Sequence, residues 1–200
     1  MVAASRYNVG GNEADVMKNK LDITDPKELG DAETVLLTDA YDHFLELLKN
    51  GKLKLNLGLL FDLHKYFLGP LYIWAGKIRT VNLSKGTMLF MPPNQIEKAL
   101  EDFKVDFEDN KPQKSDSKAI IAKKTAFLYC ELNVIHPFRE GNGRATRLFI
   151  DLLLENCGYE GLDFTKIPGD QYIAACRKGT LRDYKFMEEI VLQLLKKKCE

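Results

Sequence analysis

A short stretch in the second half of the chain combines residue types that phosphate chemistry uses. It reads VIHPFREGNGRATRLFIDLLLE over residues 134–155. Pro137 and two glycines prevent a helix from running through its first part. From Asn142 onward, apolar residues recur at helical spacing and cover nearly every side, which is typical of a helix buried in a bundle. The stretch therefore predicts a loop that leads into the first turn of a buried helix.

The start of this predicted helix has the features of an anion site. Its first backbone amides have no partner within the helix, and the helix dipole places partial positive charge there. Gly141 and Gly143 let a bulky anion approach the backbone, while Asn142 adds a polar amide. Arg144 and Arg147 lie in the first two turns, where a buried guanidinium group needs an anion as its partner. Their forked donors suit more than one phosphate.

Two further residues extend this site from binding to chemistry. Glu140 would repel phosphates unless a divalent cation bridges them, and Mg²⁺ characteristically takes one or two carboxylates together with phosphate oxygens. His136 lies just outside the predicted phosphate cradle and is able to accept a proton near pH 7. The stretch therefore predicts a nucleotide-phosphate and Mg²⁺ site with a general base beside it.

Each of these residues also has a plainer interpretation. A single histidine such as His136 is more often a structural residue than a catalytic one. Arg147 is able to pair with Asp151 one turn on, and Arg144 with Asp151 or Glu155, as ordinary salt bridges within a helix. The two glycines are able to shape a turn and nothing more. These interpretations stay open for single residues, but they explain the combination poorly.

The bulk composition limits the class of protein. The chain has 200 residues, of which 45% are hydrophobic, enough for one compact domain. Lysine plus arginine and aspartate plus glutamate number 29 each, so no net charge attracts nucleic acid or an acidic membrane. No apolar run has the length of a membrane span or a signal core, so we expect a cytoplasmic protein unless a dedicated machine exports it. The cysteines are far apart and indicate reduced thiols, although a disulfide remains open; they are Cys130, Cys157, Cys176 and Cys199.

The elements around the site are predicted to be helices. Residues 1–17 form a lead-in, and Asp25 with Pro26 supplies a cap and a first helical turn. Residues 108–118 are predicted to form a solvated loop. Helices are predicted over residues 31–48, 57–67, 95–107, 119–133, from 142 onward, 169–178 and 181–198. The fold class is therefore all-α.

One segment breaks the helical pattern. Residues 76–93 carry β-forming residues on both sides of the tripeptide Ser84-Lys85-Gly86 and end at a double proline. An isolated hairpin of two strands is only marginally stable, so it must pack on the helices or serve a task. We expect one short hairpin in an otherwise helical domain.

The segment HPFREGNGRATR at residues 136–147 matches the signature H-x-F-x-[D/E]-G-N-G-R-x-x-R without a departure. In this it resembles the Fic (filamentation induced by cAMP) domain family. The likeness extends over residues 18–190 and includes the segments NKLDITDPKELGDAE and LHKYFLGPLYIWAGKIRTVNLSKGTMLFMPP. Phe164 stands where many members have tryptophan. The resemblance implies a single Fic domain over residues 18–200, with a flap at 77–93 over the active site.

The resemblance also implies an activity and a role for each motif residue. Members of the family typically transfer AMP from ATP to a hydroxyl side chain of a target protein and release pyrophosphate. By this likeness His136 is the catalytic base, Phe138 anchors the loop in the core, and Glu140 holds Mg²⁺. The nucleotide phosphates are then bound by Gly141, Asn142, Gly143, Arg144 and Arg147, the last reaching the γ-phosphate. Arg139 occupies a variable position and receives no role.

The related Doc proteins are phosphotransferases that typically carry lysine in place of the second glycine. Gly143 occupies that position here, which favours AMP transfer over the phosphotransfer of the Doc proteins. The alternatives are protein phosphorylation or transfer of a different nucleotide on the same site, and a non-catalytic nucleotide-binding module. An intact His136 also argues against a mere binding module, since binding needs no base.

The hairpin has a role under this resemblance. A flap of this kind pairs its backbone with an extended segment of the target protein, as an added strand. The plainer alternative is a hairpin that caps the bundle, although an exposed strand edge usually has to be managed. The predicted tip comprises Ser84, Lys85 and Gly86, and the predicted edge comprises Thr87, Met88, Leu89 and Phe90.

The chain contains only part of the inhibitory motif that regulates many members of the family. Many members carry an inhibitory helix with the pattern [S/T]-x-x-x-E-[G/N], whose glutamate pairs with the second motif arginine. Thr24 and Glu28 have the right spacing, but Leu29 stands where glycine or asparagine is required. The likeness therefore suggests a toxin-like protein, of the group associated with cell filamentation, that a small antitoxin inhibits in trans.

Overall fold

The computed structural model describes residues 16–85 and 88–198, and the protein is a helical bundle with one short hairpin. Most of the lead-in (1–15), Gly86 and Thr87 of the flap, Cys199 and Glu200 lie outside the described residues. The all-α prediction with a hairpin is confirmed. The elements are α1 (Pro26–Lys49), α2 (Gly58–Leu68), β1 (Ser84–Lys85), β2 (Met88–Leu89), α3 (Pro93–Asn110), α4 (Lys118–Ile135), α5 (Asn142–Asn156), a 3₁₀ turn (Phe164–Lys166), α6 (Gly169–Gly179) and α7 (Lys185–Leu194).

Helix α1 begins five residues before the predicted start at residue 31. Asp25 is its N-cap and accepts a hydrogen bond from the backbone N–H of Glu28 at 2.7 Å. Pro26 occupies the first turn, where its missing N–H has no cost. The cap residue Asp25 and Pro26 therefore start the helix about one turn before the point that the apolar stripe alone indicated.

Helices α4 and α5 form the centre of the bundle. Helix α4 packs against α3, α5, α6 and α7, and α5 also packs against α1 and α2. In α5 nine of the 15 residues are buried, which agrees with the apolar residues that cover nearly every side of it in the sequence. The loop between α4 and α5, residues 136–141, is thus fixed at both ends by the most buried helices.

The C-terminal helix is shorter than predicted. The prediction of a helix over 181–198 is wrong at both ends, since α7 covers Lys185–Leu194. Before it, Arg182 takes a left-handed conformation (φ 60°) in a turn in which its N–H donates to the carbonyl of Gly179. After it, the chain is extended and pairs with residues 158–160. At the other end of the bundle, α3 continues to Asn110, so the predicted loop 108–118 begins later than expected.

The remaining bulk predictions concern thiols and membranes. Cys130, Cys157 and Cys176 are free thiols, as the reduced interpretation expects, and Cys199 lies outside the described residues. Burial raises the pKa of Cys130 to about 12, so this thiol stays protonated. None of the helices in residues 16–85 and 88–198 is both long and apolar enough to span a membrane.

Candidate active site

A cavity of about 430 Å³ opens between the loop before α5, the hairpin and α6. It brings together most of the residues that the sequence indicated for chemistry. Its lining comprises Lys85, Phe90, Asn133, His136, Glu140, Gly141, Gly143, Arg144, Arg147, Tyr172, Ile173, Cys176 and Arg177. Residues from three separate parts of the chain therefore share one enclosed space.

The loop before α5 has a backbone that only certain residues tolerate. Gly141, the N-cap of α5, has φ 79°, in the left-handed region that favours glycine. A Cβ atom at this position would lie 2.7 Å from Leu68 Cδ1 and 3.3 Å from His64 Nε2. His136, which ends α4, is also left-handed with φ 49°. A glycine at 141 is therefore required both by the conformation and by the space.

Asn142 holds this loop together through its side chain. Its Oδ1 accepts a hydrogen bond from the N–H of Phe138 at 2.8 Å, and its Nδ2 donates to the carbonyl of Phe138 at 2.6 Å. The residue is buried and does not line the cavity. Asn142 was predicted to bind phosphate; in this structure its amide group is used within the loop, which leaves its backbone N–H as the group for an anion.

His136 is held in one orientation inside the protein. Its Nδ1 lies 3.1 Å from the carbonyl oxygen of Asn133, and because a carbonyl only accepts, Nδ1 carries the proton in the neutral ring. The ring of Phe90 stacks on the imidazole with centroids 3.7 Å apart. Burial is the main cause that lowers the pKa of His136 to about 3; the Asn133 contact opposes this, and the charges of Arg79 and Lys85 add to it. The imidazole is therefore neutral near pH 7, with Nε2 as its acceptor atom.

Phe138 lies in the core as a loop anchor would. It is almost completely buried and stacks on the ring of His64, with centroids 3.7 Å apart. His64 Nδ1 accepts from the N–H of Gly76 at 2.8 Å, so Nε2 carries the proton and donates to the carbonyl of Glu140, also at 2.8 Å. Burial lowers the pKa of His64 to about 4. The sequence did not single out this second buried histidine, which supports the loop from below.

Glu140 places one carboxylate at the cavity. Its side chain is buried, its Oε1 accepts from the N–H of Gly141 at 2.9 Å, and Arg144 Nη2 lies 3.8 Å from the same oxygen. Across the described residues, no group of three or more histidine, cysteine, aspartate or glutamate side chains could hold a metal. Among the described residues that line the cavity, Glu140 is the only acid.

Arg144 pairs with an acid from the first helix. Its Nη1 lies 2.5 Å from Oε2 of Glu33, and the hydroxyl of Tyr72 donates to Glu33 Oε1, also at 2.5 Å. The guanidinium also lies over the ring of Phe67, 5.6 Å from its centroid. The alternative pairing of Arg144 with an acid further along α5 is therefore wrong. Of its two candidate partners there, Asp151 and Glu155, the latter pairs with Lys198.

Arg147 lies deeper, beside aromatic hydroxyl groups. Its guanidinium group interacts electrostatically with Tyr129, whose hydroxyl lies 2.9 Å from that of Tyr172. Asp151, the alternative partner, accepts instead from the hydroxyl of Tyr41 and from the N–H of Leu162, each at 2.8 Å. Both Arg147 and Asp151 are described residues, and they form no ion pair. Arg147 lines the cavity and is available to an anion there.

With this geometry established, comparison with known proteins assigns a family. The model of the Fic/DOC family matches residues 54–154, half of the chain, including the loop and all but the last two residues of α5. The chain belongs to the Fic/DOC family.

Relatives extend the likeness over most of the chain. A protein of Sinorhizobium fredii named "Probable protein adenylyltransferase y4lH" is 31% identical over 80% of this chain and 81% of its own length. "Probable protein adenylyltransferase Fic" of Escherichia coli is 30% identical over 88% of this chain and 86% of its own. The crystal structure of BepC, a VirB-translocated effector of Bartonella tribocorum with bound AMPPNP, matches with a TM-score of 0.75. It is 20% identical and covers 94% of this chain and 96% of that one, a likeness that shows the fold.

The Fic flap differs in detail from the prediction. Ser84 and Lys85, expected at its tip, form strand β1, which pairs antiparallel with β2 so that Ser84 lies opposite Leu89. Of the expected edge, Leu89 is 83% exposed, whereas Phe90 follows β2 and turns to His136. Lys85 lines the cavity. The strands are shorter than the alternating sequence pattern indicated, and on either side of them the carbonyls of Val81 and Met91 accept hydrogen bonds from Arg79.

The inhibitory pattern considered in the sequence is at the surface of this Fic domain. Thr24 and Glu28 are both exposed, before and within the first turn of α1. The acid of α1 that contacts a motif arginine is Glu33, and that arginine is the first of the motif, Arg144. A sequence signal for Glu33 existed: it is an acid on the buried stripe of α1 that also contains Leu29, Ala40 and Phe44.

A larger cavity of about 670 Å³ lies apart from this site. Arg139, the motif residue without a predicted role, lines this second cavity. The other lining residues come from residues 16–22 and from Leu71, Ile73 and Trp74. It contains none of the residues His136, Glu140 or Arg147, so the smaller cavity is the candidate active site.

Proposed function

We propose that the protein is a protein adenylyltransferase that transfers AMP from ATP to the hydroxyl group of a serine, threonine or tyrosine side chain of a target protein. The observation that carries the proposal is the place of His136, whose Nε2 is the acceptor atom of a neutral ring at the wall of the cavity that Gly143, Arg144 and Arg147 also line. The two relatives named as adenylyltransferases support it.

The residues of the cavity divide the work between binding and proton transfer. The N-terminus of α5, with the backbone N–H groups of Asn142 and Gly143 next to the left-handed Gly141, binds the α- and β-phosphates. Arg144 lies alongside, and Arg147 reaches the γ-phosphate. The target hydroxyl forms a bond to the α-phosphorus while the bond between that phosphorus and the oxygen bridging to the β-phosphate breaks. The hydroxyl proton passes to Nε2 of His136, and pyrophosphate leaves.

The low pKa of His136 is compatible with this role. The triphosphate brings negative charge next to the imidazole, which stabilises the protonated ring and raises its pKa as the proton arrives. In the nucleotide-free protein the positive charges of Arg79 and Lys85 act in the opposite direction. The base is therefore neutral before the reaction and gains basicity from its own substrate.

The donor set fits Mg²⁺ as the partner of ATP. Glu140 offers one buried carboxylate at the cavity, and Mg²⁺ commonly takes one or two carboxylates with substrate phosphates and water. When bound, the ion neutralises phosphate charge. Glu140 is the residue that would hold it, and its hydrogen bond from the N–H of Gly141 keeps the carboxylate in place.

The target protein is proposed to bind as a strand added to the flap. The sheet has two strands within the described residues, so each strand has an edge without a partner strand there. Leu89 on β2 presents an exposed apolar side chain next to this edge. Main-chain pairing of this kind places an extended segment beside the cavity and accepts many sequences.

We also propose that a small antitoxin protein restrains the enzyme in trans. Glu28, the acid of the incomplete inhibitory pattern, is exposed on α1 rather than next to Arg147. A glutamate brought to Arg147 by a partner would compete with the γ-phosphate for the same guanidinium group.

Labelling with two forms of ATP tests the activity. Incubation of the protein with host-cell proteins and α-labelled ATP is expected to label protein, whereas γ-labelled ATP is not. Label from γ-labelled ATP alone would instead show phosphotransfer, and label from neither in any host extract would refute the proposal. His136→Ala is the matched control, and it should remove the label while it leaves ATP binding within about threefold of the wild type.

A further inference from the structure

Arg79 makes contacts that no motif in the sequence predicts. It lies between α2 and β1, is 4% exposed, and uses all three of its side-chain nitrogens as donors to backbone carbonyls. Nη1 donates to Val81 at 2.7 Å and Nη2 donates to Met91 at 2.6 Å, while Nε donates to His136 at 2.8 Å. Val81 and Met91 lie on the two arms of the hairpin. One guanidinium group therefore joins both arms of the flap to residues 136–141, the loop between α4 and α5 that we call the catalytic loop.

The backbone of Arg79 reinforces the same connection. Its own N–H donates to the carbonyl of Pro137 at 2.8 Å. Two consecutive residues of the catalytic loop, His136 and Pro137, are thus held by Arg79, one through its side chain and one through its main chain. A planar fork of fixed donors suits three acceptors that point from different directions, and a lysine has no equivalent geometry.

The flap also touches the imidazole of His136 directly. Phe90, next to Met91, stacks on this ring with planes 19° apart, and its N–H donates to the carbonyl of Leu83 on the opposite arm at 3.1 Å. The backbone of His136 is therefore tied to the hairpin through Arg79, and its side chain through Phe90. A displacement of the hairpin would move the base.

We propose that Arg79 is a positioning residue for the transfer step, which holds both arms of the flap against the backbone of His136 so that a hydroxyl presented along β2 meets the imidazole in a fixed register. The inference rests on the proposed function for its consequence on catalysis. It does not rest on it for the structural claim, which is that Arg79 sets the position of the flap relative to the base.

A positioning role predicts effects of an Arg79 substitution that differ from those of a residue needed only for folding. Arg79 donates to carbonyls of the flap and of the loop, whereas the phosphates are proposed to bind at Gly143, Arg144 and Arg147. Loss of the Arg79 guanidinium group should therefore leave ATP binding intact but misplace the target hydroxyl relative to His136. A misplacement of about 1 Å is enough to lower a rate about a hundredfold.

The test compares Arg79→Lys with the wild type and with Lys52→Gln, a control at an exposed residue outside the flap and the active site. ATP affinity is measured by calorimetry, and the ring-current shift of the His136 Hε1 signal, which reports the Phe90 stack, is measured by NMR. The kcat and KM of AMP transfer are measured on the acceptor protein that α-labelled ATP identifies. In Arg79→Lys we expect an ATP Kd within about twofold of the wild type, loss of at least about half of the ring-current shift, and a kcat lowered about ten- to a hundredfold.

A folded Arg79→Lys protein with an unchanged ring-current shift and kcat would overturn the inference, and so would a loss of ATP affinity that accounts for the whole loss of transfer. Should Arg79→Lys fail to fold, Phe90→Leu breaks the same connection at a half-buried side chain and is expected to lower kcat with ATP affinity unchanged. An unchanged kcat there would equally contradict the proposal. If the wild type labels no protein, the NMR and calorimetry results still decide the position of the flap, while the labelling result concerns the proposed function alone.

Discussion

Glu33 and Arg144 are 111 positions apart in the chain, yet Arg144 Nη1 lies 2.5 Å from Glu33 Oε2 in a largely buried pair. The hydroxyl of Tyr72 completes the coordination of the same carboxylate. The pair joins the first helix to the first turn of α5, and so it connects the outer part of the bundle to the proposed phosphate site.

Replacement of Glu33 should destabilise the protein. In Glu33→Gln the buried guanidinium of Arg144 loses its charge partner, so the free energy of unfolding is expected to fall by about 3 kcal/mol. Urea denaturation measures this change. Glu28→Gln is the matched control on the same helix, and because Glu28 is exposed the change should stay below about 0.5 kcal/mol. Glu28→Gln should also leave AMP transfer unchanged; a rise in transfer would indicate that Glu28 acts as a built-in inhibitor after all.

The conformation of Gly141 gives a second prediction about stability. Gly141→Ala places a side chain at φ 79° and within 2.7 Å of Leu68 Cδ1. The left-handed backbone costs about 1–2 kcal/mol, and the overpacking adds about 1–3 kcal/mol. Gly158→Ala is the control, because Gly158 has φ 83° but nothing within 4 Å of the new Cβ. Denaturation curves in which both variants lose equal stability would show that the contact with Leu68 is of no consequence.

The γ-phosphate role of Arg147 is testable by ligand comparison. Arg147→Ala removes a charge-assisted contact that ATP has and AMP lacks, so ATP affinity should fall about ten- to a hundredfold while AMP affinity changes less than about twofold. Calorimetry with both nucleotides on the same variant supplies its own control. Equal losses for ATP and AMP would place Arg147 elsewhere on the nucleotide.

Removal of Mg²⁺ should distinguish Glu140 from the arginines. In the wild type, a chelator is expected to weaken ATP binding, since the cation joins the carboxylate to the phosphates. Glu140→Gln keeps an acceptor for the N–H of Gly141 but loses the charge, so ATP binding should become insensitive to Mg²⁺ and transfer should fall at least about tenfold. Transfer that proceeds at the wild-type rate without a divalent cation would contradict the role assigned to Glu140.

The two buried histidines predict how stability depends on pH. The pKa values of His136 and His64 are lowered to about 3 and about 4, mainly by burial, from about 6.5 in an unfolded chain. Below about pH 6 the unfolded chain therefore binds protons that the native protein does not. As the pH is lowered further, the free energy of unfolding falls by about 1.4 kcal/mol per pH unit for each histidine. Asp151 acts in the opposite sense, because burial raises its pKa to about 6 and the native protein is the state that takes up this proton.

A difference between variants separates these contributions. His136→Ala retains His64 and Asp151, so its loss of stability between about pH 6 and pH 4 should be smaller than that of the wild type by about 1.4 kcal/mol per pH unit. Denaturation at several pH values measures both slopes. Parallel slopes would mean that His136 titrates equally in both states and is not buried as described.

The loop and α5 were predictable because their signals are local. Glycines, a proline and an apolar run within residues 134–155 predict a loop followed by a buried helix. The residues proposed to bind phosphate lie in the same short stretch. The bundle and the existence of the hairpin were predicted for the same reason. The length of α7 was not, because pairing of the chain after Leu194 with residues 158–160 ends the helix although its sequence remains helical in pattern.

The residues that the sequence did not reveal act through contacts between distant segments. His64 and Arg79 contact the loop and Glu33 contacts the first turn of α5, each from a position 57 to 111 residues away from its partner. The buried stripe of α1 marks Glu33 as an unusual acid, but no spacing within a segment identifies the distant partner of any of the three. Asp151 and Glu155 were plausible local partners for the arginines, but Tyr41 and Lys198 engage them instead. The packing of α1 against α5 decides the pairs of Arg144 and Asp151, and the extended chain after α7 decides the pair of Glu155.

The burial of α5 has a consequence for the order in which ligands associate. Beyond its first turn, whose amides have no partner within the helix, the amides of α5 are enclosed by α1, α2 and α4, so they should exchange with deuterium only when the whole protein unfolds. The flap contains two strands of two residues each, and its amides should exchange through local opening. The nucleotide therefore meets a rigid surface and loses little entropy of the protein on binding. The target segment must order the strand edge of the flap to which it binds. This favours slow binding of the target to a protein that has already bound ATP.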